Sequence, residues 1–323
     1  MSSTPGIRER IVSVRVPAST SNLGAGFDAV GMAIGRWLEA RAWISGSASA
    51  VSIKRAGTLG SLDIPVENDL IWRGFVAACV ALRISPPVGI RIDADSDIPV
   101  ARGLGSSAAA IVAGVLLANS LLSGGLDNAA VIDIASALEG HPDNVAPAVL
   151  GGAVLCLPSI GHHSSSVPLE VHASLRFVFV VPDFEVRTEV ARAALPAQLD
   201  FATAVSAAGR AAALVIGLRT GDSKVLEPAI DDVLHIPFRR SLVKGYDAVT
   251  NAAVANGAIG ATLSGSGSTI VAIVRHGHET AVQEAAIAAW RAIDVNAFAF
   301  ATEAELQGAT SHAVDTPPAV PIF

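Results

Sequence analysis

Hydrophobic and polar positions along the chain follow two different periods, which predict a mixture of strands and helices. Alternating or continuous apolar runs of strand length occur at 11–17, 37–44, 50–56, 88–95, 148–158, 175–182 and 260–274. Longer runs with helical spacing occur at 67–82, 106–122, 128–139 and 201–218. The mixture of the two element types favours an α+β or α/β fold.

A segment rich in Ser and His interrupts this pattern near residue 160 and predicts a boundary between two halves. The predicted domains are therefore residues 1–160 and 161–306. The segment 307–323 ends in DTPPAVPIF, and its proline and polar content is typical of a flexible tail.

Charge and composition exclude several classes of protein. The chain has 22 Lys+Arg against 29 Asp+Glu, a formal net charge of -7, so nucleic acid and anionic membranes are not expected partners. Charges interrupt the first dozen residues where an export segment would be apolar, which predicts a cytoplasmic protein. Cys79 and Cys156 lie in apolar surroundings without metal-ligand spacing and are interpreted as buried thiols.

A glycine-rich loop opens directly into an alanine-rich helix and is the strongest candidate for chemistry. Gly103, Gly105, Ser106 and Ser107 stand where the free backbone N–H groups and the dipole of a helix N-terminus attract phosphate. A side chain at Gly105 is expected to block the approach of a phosphate while leaving the fold intact. The serine hydroxyls can donate to phosphate oxygens or ligate Mg²⁺.

Several known glycine motifs share part of this loop's pattern. A dinucleotide fingerprint would need a strand before Gly103 and an acidic residue at the end of the next strand, whereas Asp127 lies in a loop. A Walker A loop would need a lysine that this segment lacks, and the HRD and DFG motifs of protein kinases are absent from the sequence. A glycine turn that merely caps a helix is the remaining alternative.

Three segments in order resemble the signature motifs of the GHMP kinase family: PASTSNLGAGFDAVG at 17–31, PVARGLGSSAAA at 99–110 and GATLSGSGSTIVAI at 260–273. The segment LEGHPDNVAPAVLGG at 138–152 resembles the branch of that family that acts on homoserine, as do residues 186–196 and 231–242. Two positions depart from the family pattern, because Ser268 replaces a usual proline and Val233 a common arginine.

The resemblance implies a two-domain α+β fold, with an S5-like N-terminal half and a ferredoxin-like C-terminal half, and ATP bound between them. Its nucleotide-binding residues correspond here to Asn68, Pro99, Val100, Ala101, Arg102, Gly103, Leu104, Gly105, Ser106, Ser107, Ala108 and Ala109. Mg²⁺ would be held by Ser107 and Glu139, whose oxygens suit a hard cation.

The resemblance also implies a site for L-homoserine, which carries an ammonium, a carboxylate and a hydroxyl. Asp28 would pair with the ammonium, and an arginine fork would hold the carboxylate. The implied substrate-binding residues are Asn22, Asp28, His141, Asn144, Arg192 and Arg239. The implied catalytic residues are Ser107, Glu139, Asp143, Asn144 and Thr188, with Thr188 near the γ-phosphate and Asp143 positioning more than acting as a base.

The function implied by the resemblance is phosphorylation of the side-chain hydroxyl of L-homoserine, a step of threonine biosynthesis. The alternatives are another GHMP small-molecule kinase such as one for mevalonate, a mevalonate diphosphate decarboxylase, or a non-catalytic regulator that binds ATP or an amino acid. The sequence leaves the formation of a homodimer open.

Overall fold

The computed structural model describes residues 11–45, 50–157 and 165–314. The domain boundary predicted at residue 160 lies outside these described residues. The strands are β1 (Ile11–Asn22), β2 (Gly26–Ile44), β3 (Ser52–Gly57), β4 (Ile90–Ser96), β5 (Ala153–Leu157), β6 (Ser165–Leu169), β7 (Leu175–Pro182), β8 (Ala258–Leu263), β9 (Ile270–Arg275), β10 (Ala297–Thr302) and β11 (Thr310–Val314).

The helices lie between these strands and at their ends. They are α1 (Leu70–Leu82), α2 (Ser106–Leu121), α3 (Asn128–Glu139), α4 (Val145–Leu150), α5 (Thr188–Ala193), α6 (Phe201–Thr220), α7 (Ser223–Ile230), α8 (Ile236–Arg239), α9 (Tyr246–Ala255) and α10 (Glu279–Arg291). Short 3₁₀ turns occupy Val66–Asn68 and Arg240–Leu242.

The first sheet has the strand order β11-β1-β2-β4-β3, with β5 and β6 attached to β2. Its pairs are antiparallel apart from the parallel pair β3–β4. Helix α2 contacts both β1 and α1, and twelve of its sixteen residues are buried. The glycine loop is therefore anchored to the N-terminus of a helix buried in the core.

The second sheet has the order β10-β7-β9-β8 and is antiparallel throughout. Numbered along the chain, its four strands lie side by side in the order 4-1-3-2, with helices between the first and second strands and between the third and fourth. This is the arrangement of a ferredoxin-like sheet. The predicted α+β class is confirmed.

Several predictions differ from the structure. Strand β1 does not end at Pro17 but continues to Asn22, because a register shift at Pro17/Ala18 accommodates the residue without an N–H group. Residues 145–150 form a helix, so residues 148–150 of the predicted strand 148–158 are helical, and Gly151 with a φ of 77° ends the helix. The prediction of a flexible tail is wrong for Thr310–Val314, which pair with β1. Strand β6 follows residue 160 in the chain but belongs to the first sheet, where it pairs with β5.

Candidate active site

A cleft of about 300 Å³ lies between the glycine loop and the segments that precede α5 and β9. Its lining combines most of the side chains that the sequence singled out. The predicted residues that line it are Asn22, 100–107, Glu139, His141, Asn144, Thr188, Arg192 and Arg239. Residues from all three signature segments and from both halves of the chain therefore meet in one place.

Hydrogen bonds join the three signature segments beside this cleft. The amide of Ser19 donates to Leu104 O at 3.2 Å, and Ser264 Oγ donates to Gly103 O at 2.6 Å. The Oγ1 atom of Thr20 lies 2.8 Å from Ser264 Oγ. The glycine loop is thus clamped from two sides, which holds the N–H groups of the α2 N-terminus in a defined direction.

Two predicted ligands, Asn22 and Asn144, use their amides within this clamp. Asn22 Nδ2 donates to Gly265 O at 2.9 Å, and Asn22 Oδ1 accepts from the amide of Asp28 at 3.0 Å. Asn144 accepts from Ser19 Oγ at 3.0 Å and donates to Ser21 Oγ at 3.1 Å. Both residues are buried, so they hold the walls of the cleft in register.

Gly105 is required by contacts inside the protein. It is the N-cap of α2 with φ of 67°, and a Cβ atom there would lie 2.1 Å from Ser19 Oγ. A side chain at this position would therefore also cost stability, in addition to the expected block of phosphate approach. A side chain would displace Ser19 and disturb its hydrogen bond to Asn144.

We expect Gly105→Ala to destabilise the protein more than Gly125→Ala, a matched control. Gly125 has φ of 75° and no atom within 4 Å of an added Cβ. The control therefore carries the left-handed backbone cost of about 1–2 kcal/mol, whereas Gly105→Ala adds an overpacking cost of about 1–3 kcal/mol. Urea unfolding of both variants measures the difference, and equal destabilisation would contradict the proposed clash.

Ser107 and Glu139 form a short contact at the end of two helices. Ser107 lies in the first turn of α2 and Glu139 in the last turn of α3, and Ser107 Oγ donates to Glu139 Oε1 at 2.5 Å. Burial raises the pKa of Glu139, while the hydrogen bond from Ser107 and the charge of His141 oppose that rise. A partly desolvated carboxylate beside a hydroxyl is a donor pair suited to a hard cation.

His141 and Asp143 form a buried pair next to Glu139. His141 Nδ1 and Asp143 Oδ1 are 2.6 Å apart, and the side chain of Asp143 is 2% exposed. Burial by itself would lower the pKa of His141, but the hydrogen bond and charge of Asp143 and the charge of Glu139 outweigh it, so this pKa is raised. The pair therefore favours a protonated imidazole close to the cleft.

This pair predicts a pH-dependent contribution to stability. A histidine whose pKa is raised on folding stabilises the protein fully below its unfolded pKa near 6.5 and loses that effect as pH rises through the folded value. We therefore expect the unfolding free energy of the wild type to exceed that of His141→Gln by more at pH 6 than at pH 9. Urea titrations across this range measure it, and a difference that does not change with pH would contradict it.

Asp28, from the first half of the chain, forms an ion pair with Arg192, from the second half. Arg192 Nη1 donates to Asp28 Oδ2 and Nη2 to Asp28 Oδ1, both at 3.1 Å. Desolvation would lower the pKa of Arg192, but the hydrogen bonds and charge of Asp28 raise it. The side chains are 38% and 37% exposed, so a ligand in the cleft can reach this bidentate pair.

Arg239 lies deeper than Arg192. Its Nε donates to Ala191 O at 3.0 Å, and its guanidinium stacks 5.0 Å from the centroid of the Phe27 ring. Burial and the charge of Arg192 lower its pKa. A second cation is therefore held behind the Asp28–Arg192 pair.

Some predicted residues lie beside the cleft without lining it. Asp28 contacts the lining residue Arg192, and Asp143 contacts the lining residue His141. Ala108 and Ala109 are buried in the core, Pro99 lies just before the lining segment, and Asn68 is exposed on the 3₁₀ turn next to the lining residue Asp69.

The sequence did not reveal the far end of the cleft, which is mostly apolar. Its lining side chains are Leu59, Leu62, Ile64, Leu70 and Ile71. Arg55 also lines this end, with Nε donating to Asp69 Oδ2 at 2.7 Å, while Asp69 Oδ1 accepts from the amide of Ile71 and caps α1. Asp69 lies near the start of the run with helical spacing at 67–82, but its partner Arg55 lies on β3 and no local pattern connects them.

Comparisons with known proteins agree with this arrangement. The family model for the GHMP kinases N terminal domain matches residues 69–152, and that for the GHMP kinases C terminal region matches residues 214–292. Homoserine kinase of Trichormus variabilis is 38% identical over 300 residues, covering 93% of this chain and 98% of the relative. Homoserine kinase of Deinococcus radiodurans is 41% identical over 264 residues, covering 81% and 84%.

Solved structures lead to the same family. The crystal structure of homoserine kinase from Cytophaga hutchinsonii superposes with a TM-score of 0.84 at 30% identity, covering 97% of this chain and 100% of that one. Methanococcus jannaschii mevalonate kinase gives a TM-score of 0.64 at 13% identity, covering 93% and 99%, and shares the fold. The chain belongs to the GHMP kinase family. The relatives named above at 38% and 41% identity are homoserine kinases.

Proposed function

We propose that this enzyme transfers the γ-phosphate of ATP to the side-chain hydroxyl of L-homoserine and forms O-phospho-L-homoserine. The observation that carries the proposal is the bidentate Asp28–Arg192 pair, whose Arg192 lines the same cleft as the glycine loop at the N-terminus of α2. One part of the cleft suits phosphates and the other suits a zwitterionic amino acid.

The nucleotide is proposed to occupy the part of the cleft between the glycine loop and the apolar end. The backbone N–H groups of the first turn of α2 have no acceptors within the helix and are available to phosphate oxygens. The apolar side chains around Leu59 and Ile71 offer a surface for the base. Asn68 lies on the turn beside this surface, where a nucleoside contact remains a prediction.

Ser107 and Glu139 fit a magnesium ion by the chemistry of their donors, a hydroxyl and a carboxylate. Among the described residues, no group of three or more His, Cys, Asp or Glu side chains is arranged to hold a metal by itself. Phosphate oxygens would therefore have to complete the coordination, as is usual for Mg²⁺ with nucleotides. A bound Mg²⁺ would neutralise negative charge on the phosphate that is transferred.

The amino acid is proposed to bind against Asp28, Arg192 and Arg239. The ammonium of homoserine would pair with Asp28, and its carboxylate would accept from the guanidinium of Arg192 with the buried charge of Arg239 behind it. His141, held by Asp143, is directed toward the same part of the cleft. These groups fix the orientation of the substrate hydroxyl.

Phosphoryl transfer forms a bond from the homoserine oxygen to the γ-phosphorus and breaks the bond from that phosphorus to the β–γ bridging oxygen, so that ADP leaves. The proton of the homoserine hydroxyl passes to an oxygen of the transferred phosphate or to solvent. Such a reaction depends mainly on in-line positioning and on stabilisation of charge on the phosphate oxygens. The Oγ1 atom of Thr188 lies 3.3 Å from Ser266 Oγ at the cleft wall and can donate to the γ-phosphate. Because Asp143 is buried and bonded to His141, we assign it a positioning role in place of a general base.

A substrate panel tests the proposal. Purified enzyme with ATP and Mg²⁺ should release ADP with L-homoserine, and phosphorus NMR should show one phosphate monoester on its side chain. D-homoserine, mevalonate and galactose serve as alternative alcohols. Turnover of mevalonate or a sugar in place of L-homoserine would contradict the substrate, and binding of ATP without ADP release would identify a non-catalytic regulator. Location in the cytoplasm stays a prediction from the sequence.

A further inference from the structure

Helix α5 carries two residues of the proposed reaction, but apolar packing anchors it weakly. It holds Thr188 at its first position and Arg192 near its end, and of the six residues of this described helix Ala191 alone is buried. Val186, which lies just before the helix, packs in the hydrophobic cluster beside the second sheet. Because so little apolar surface is buried here, the position of α5 depends largely on polar contacts.

Arg102 of the glycine loop ties down the segment 183–187, which leads from β7 into α5. The Nε atom of Arg102 donates to Pro182 O, and its Nη2 atom donates to Asp183 O, both at 3.1 Å. Its Nη1 atom lies 3.0 Å from Glu185 Oε1 and also donates to a carbonyl of the loop itself. All three nitrogen atoms of the guanidinium are therefore used within the protein.

The third signature segment holds the same stretch of chain through Ser268. Ser268 Oγ donates to Phe184 O at 2.6 Å, so the carbonyls of the three consecutive residues 182–184 accept from two side chains. Ser268 is fully buried. A proline, the usual residue of the family at this position, could not donate this bond because it has no side-chain donor. The contact is therefore a feature of this chain.

The alternative role for Arg102 is that of a phosphate ligand, because it lines the cleft beside the glycine loop. Its contacts oppose that role. The side chain is 16% exposed, and to reach a phosphate the guanidinium would have to leave the carbonyls of residues 182 and 183 and the carboxylate of Glu185. The backbone N–H groups at the N-terminus of α2 already serve the phosphates. The guanidinium is thus directed at the α5 segment.

We propose that Arg102 and Ser268 are positioning residues that brace the α5 segment against the glycine loop. The inference rests on the proposed function, because it takes Thr188 as a contact of the γ-phosphate and Arg192 as a ligand of the homoserine carboxylate. By holding residues 182–184, the two side chains fix the distance between the glycine loop and α5. They thereby set where the homoserine oxygen lies relative to the γ-phosphorus, and they act through α5 without binding the substrate.

Steady-state kinetics with ATP and L-homoserine varied separately test the brace. Arg102→Met should raise the KM for homoserine and lower kcat, each by about 10-fold, the scale expected from a lost hydrogen bond and a small misplacement of the reacting groups. The KM for ATP should stay within about two-fold of the wild type, because the amides of α2 hold the phosphates. Arg102→Lys, which keeps the charge but reaches fewer carbonyls, should have intermediate values. A raised KM for ATP with an unchanged KM for homoserine would identify a phosphate ligand and overturn the proposal.

Ser268→Ala separates the brace from any change within the glycine loop, since the Ser268 hydroxyl donates to Phe184 O and not to the loop. It should change the KM for homoserine and kcat in the same direction as Arg102→Met, by about 3- to 10-fold. Arg176→Met is the matched control, because that arginine is 18% exposed and donates to two main-chain carbonyls outside the cleft. It should keep the wild-type constants. A wild-type KM for homoserine in both test variants would overturn the brace.

Amide hydrogen exchange of the ligand-free enzyme tests the brace without catalysis. In Arg102→Met and Ser268→Ala, the hydrogen-bonded amides of Asp183, Ala191 and Ala194 should exchange about 10-fold faster than in the wild type, whereas those of α2 should keep their rates. The matched control should exchange like the wild type in both regions. Unchanged exchange at the three amides in both variants would overturn the proposal. If the wild type does not phosphorylate homoserine, the proposed function fails, and the exchange rates still decide whether the two side chains hold α5.

Discussion

Replacing Glu139 by alanine is expected to lower kcat by about 100- to 1000-fold, the loss typical of removing one group that stabilises charge in a transition state. Among the described residues, Glu139 is the one carboxylate in contact with a serine of the glycine loop, at 2.5 Å. Its raised pKa shows that burial opposes the charged form, so a bound cation would gain from pairing with it. Steady-state kinetics at saturating ATP and homoserine measure the change.

The dependence on Mg²⁺ separates this role from a structural one. Glu139→Asp should retain part of the activity and require a higher Mg²⁺ concentration, whereas Glu284→Gln, which changes a glutamate on α10 outside the cleft, should behave like the wild type. Thermal unfolding should confirm that each variant is folded. Full turnover of the wild type in excess chelator, or unchanged kcat in Glu139→Ala, would rule out the assignment.

Replacing Arg192 by alanine should raise the KM for L-homoserine by roughly tens- to thousands-fold, because truncating one member of a desolvated charge pair costs about 2 to 5 kcal/mol. In the bound state the substrate carboxylate would lose its bidentate partner. The KM for ATP should change little, since ATP is proposed to be held by the loop at the N-terminus of α2. Kinetics with homoserine and ATP varied separately measure both values.

The fold should survive this substitution. The Asp28–Arg192 pair is more than a third exposed, and such pairs contribute about 0 to 1 kcal/mol to stability. Arg240→Ala, which removes an arginine paired with Asp247 outside the cleft, is the matched control and should keep both KM values. Asp28→Asn should also weaken homoserine binding. An unchanged KM for homoserine in Arg192→Ala would show that the amino acid binds elsewhere.

The glycine loop could be located from the sequence because its parts are consecutive. Gly103, Gly105 and two serines precede an apolar run, and a helix N-terminus is a property of adjacent residues. The same holds for the cap of α3, where Asp127 accepts from the amide of Ala130. The steric requirement for glycine at position 105 could not be predicted from adjacent residues, because the atom that a side chain would meet there belongs to Ser19, which is distant in the chain.

Pairs of residues that are distant in the chain follow from tertiary packing. The sequence predicts that Asp28 and Arg192 hold opposite ends of a substrate, and the fold also pairs them with each other over 164 positions of sequence. Arg55 and Asp69 form an ion pair at the apolar end of the cleft, and no motif connects one to the other. Such pairs depend on how strands and helices pack, which no local pattern encodes.

The amino-acid sequence alone was enough for the class of the fold, the position of the phosphate loop and the resemblance to a family, because apolar periodicity and contiguous motifs depend on near neighbours. How the polar side chains are used became visible only in three dimensions. There the amides of Asn22 and Asn144 hold the walls of the cleft, Arg239 is buried and β11 joins the first sheet. Each of these depends on contacts between distant segments, and only packing brings those segments together.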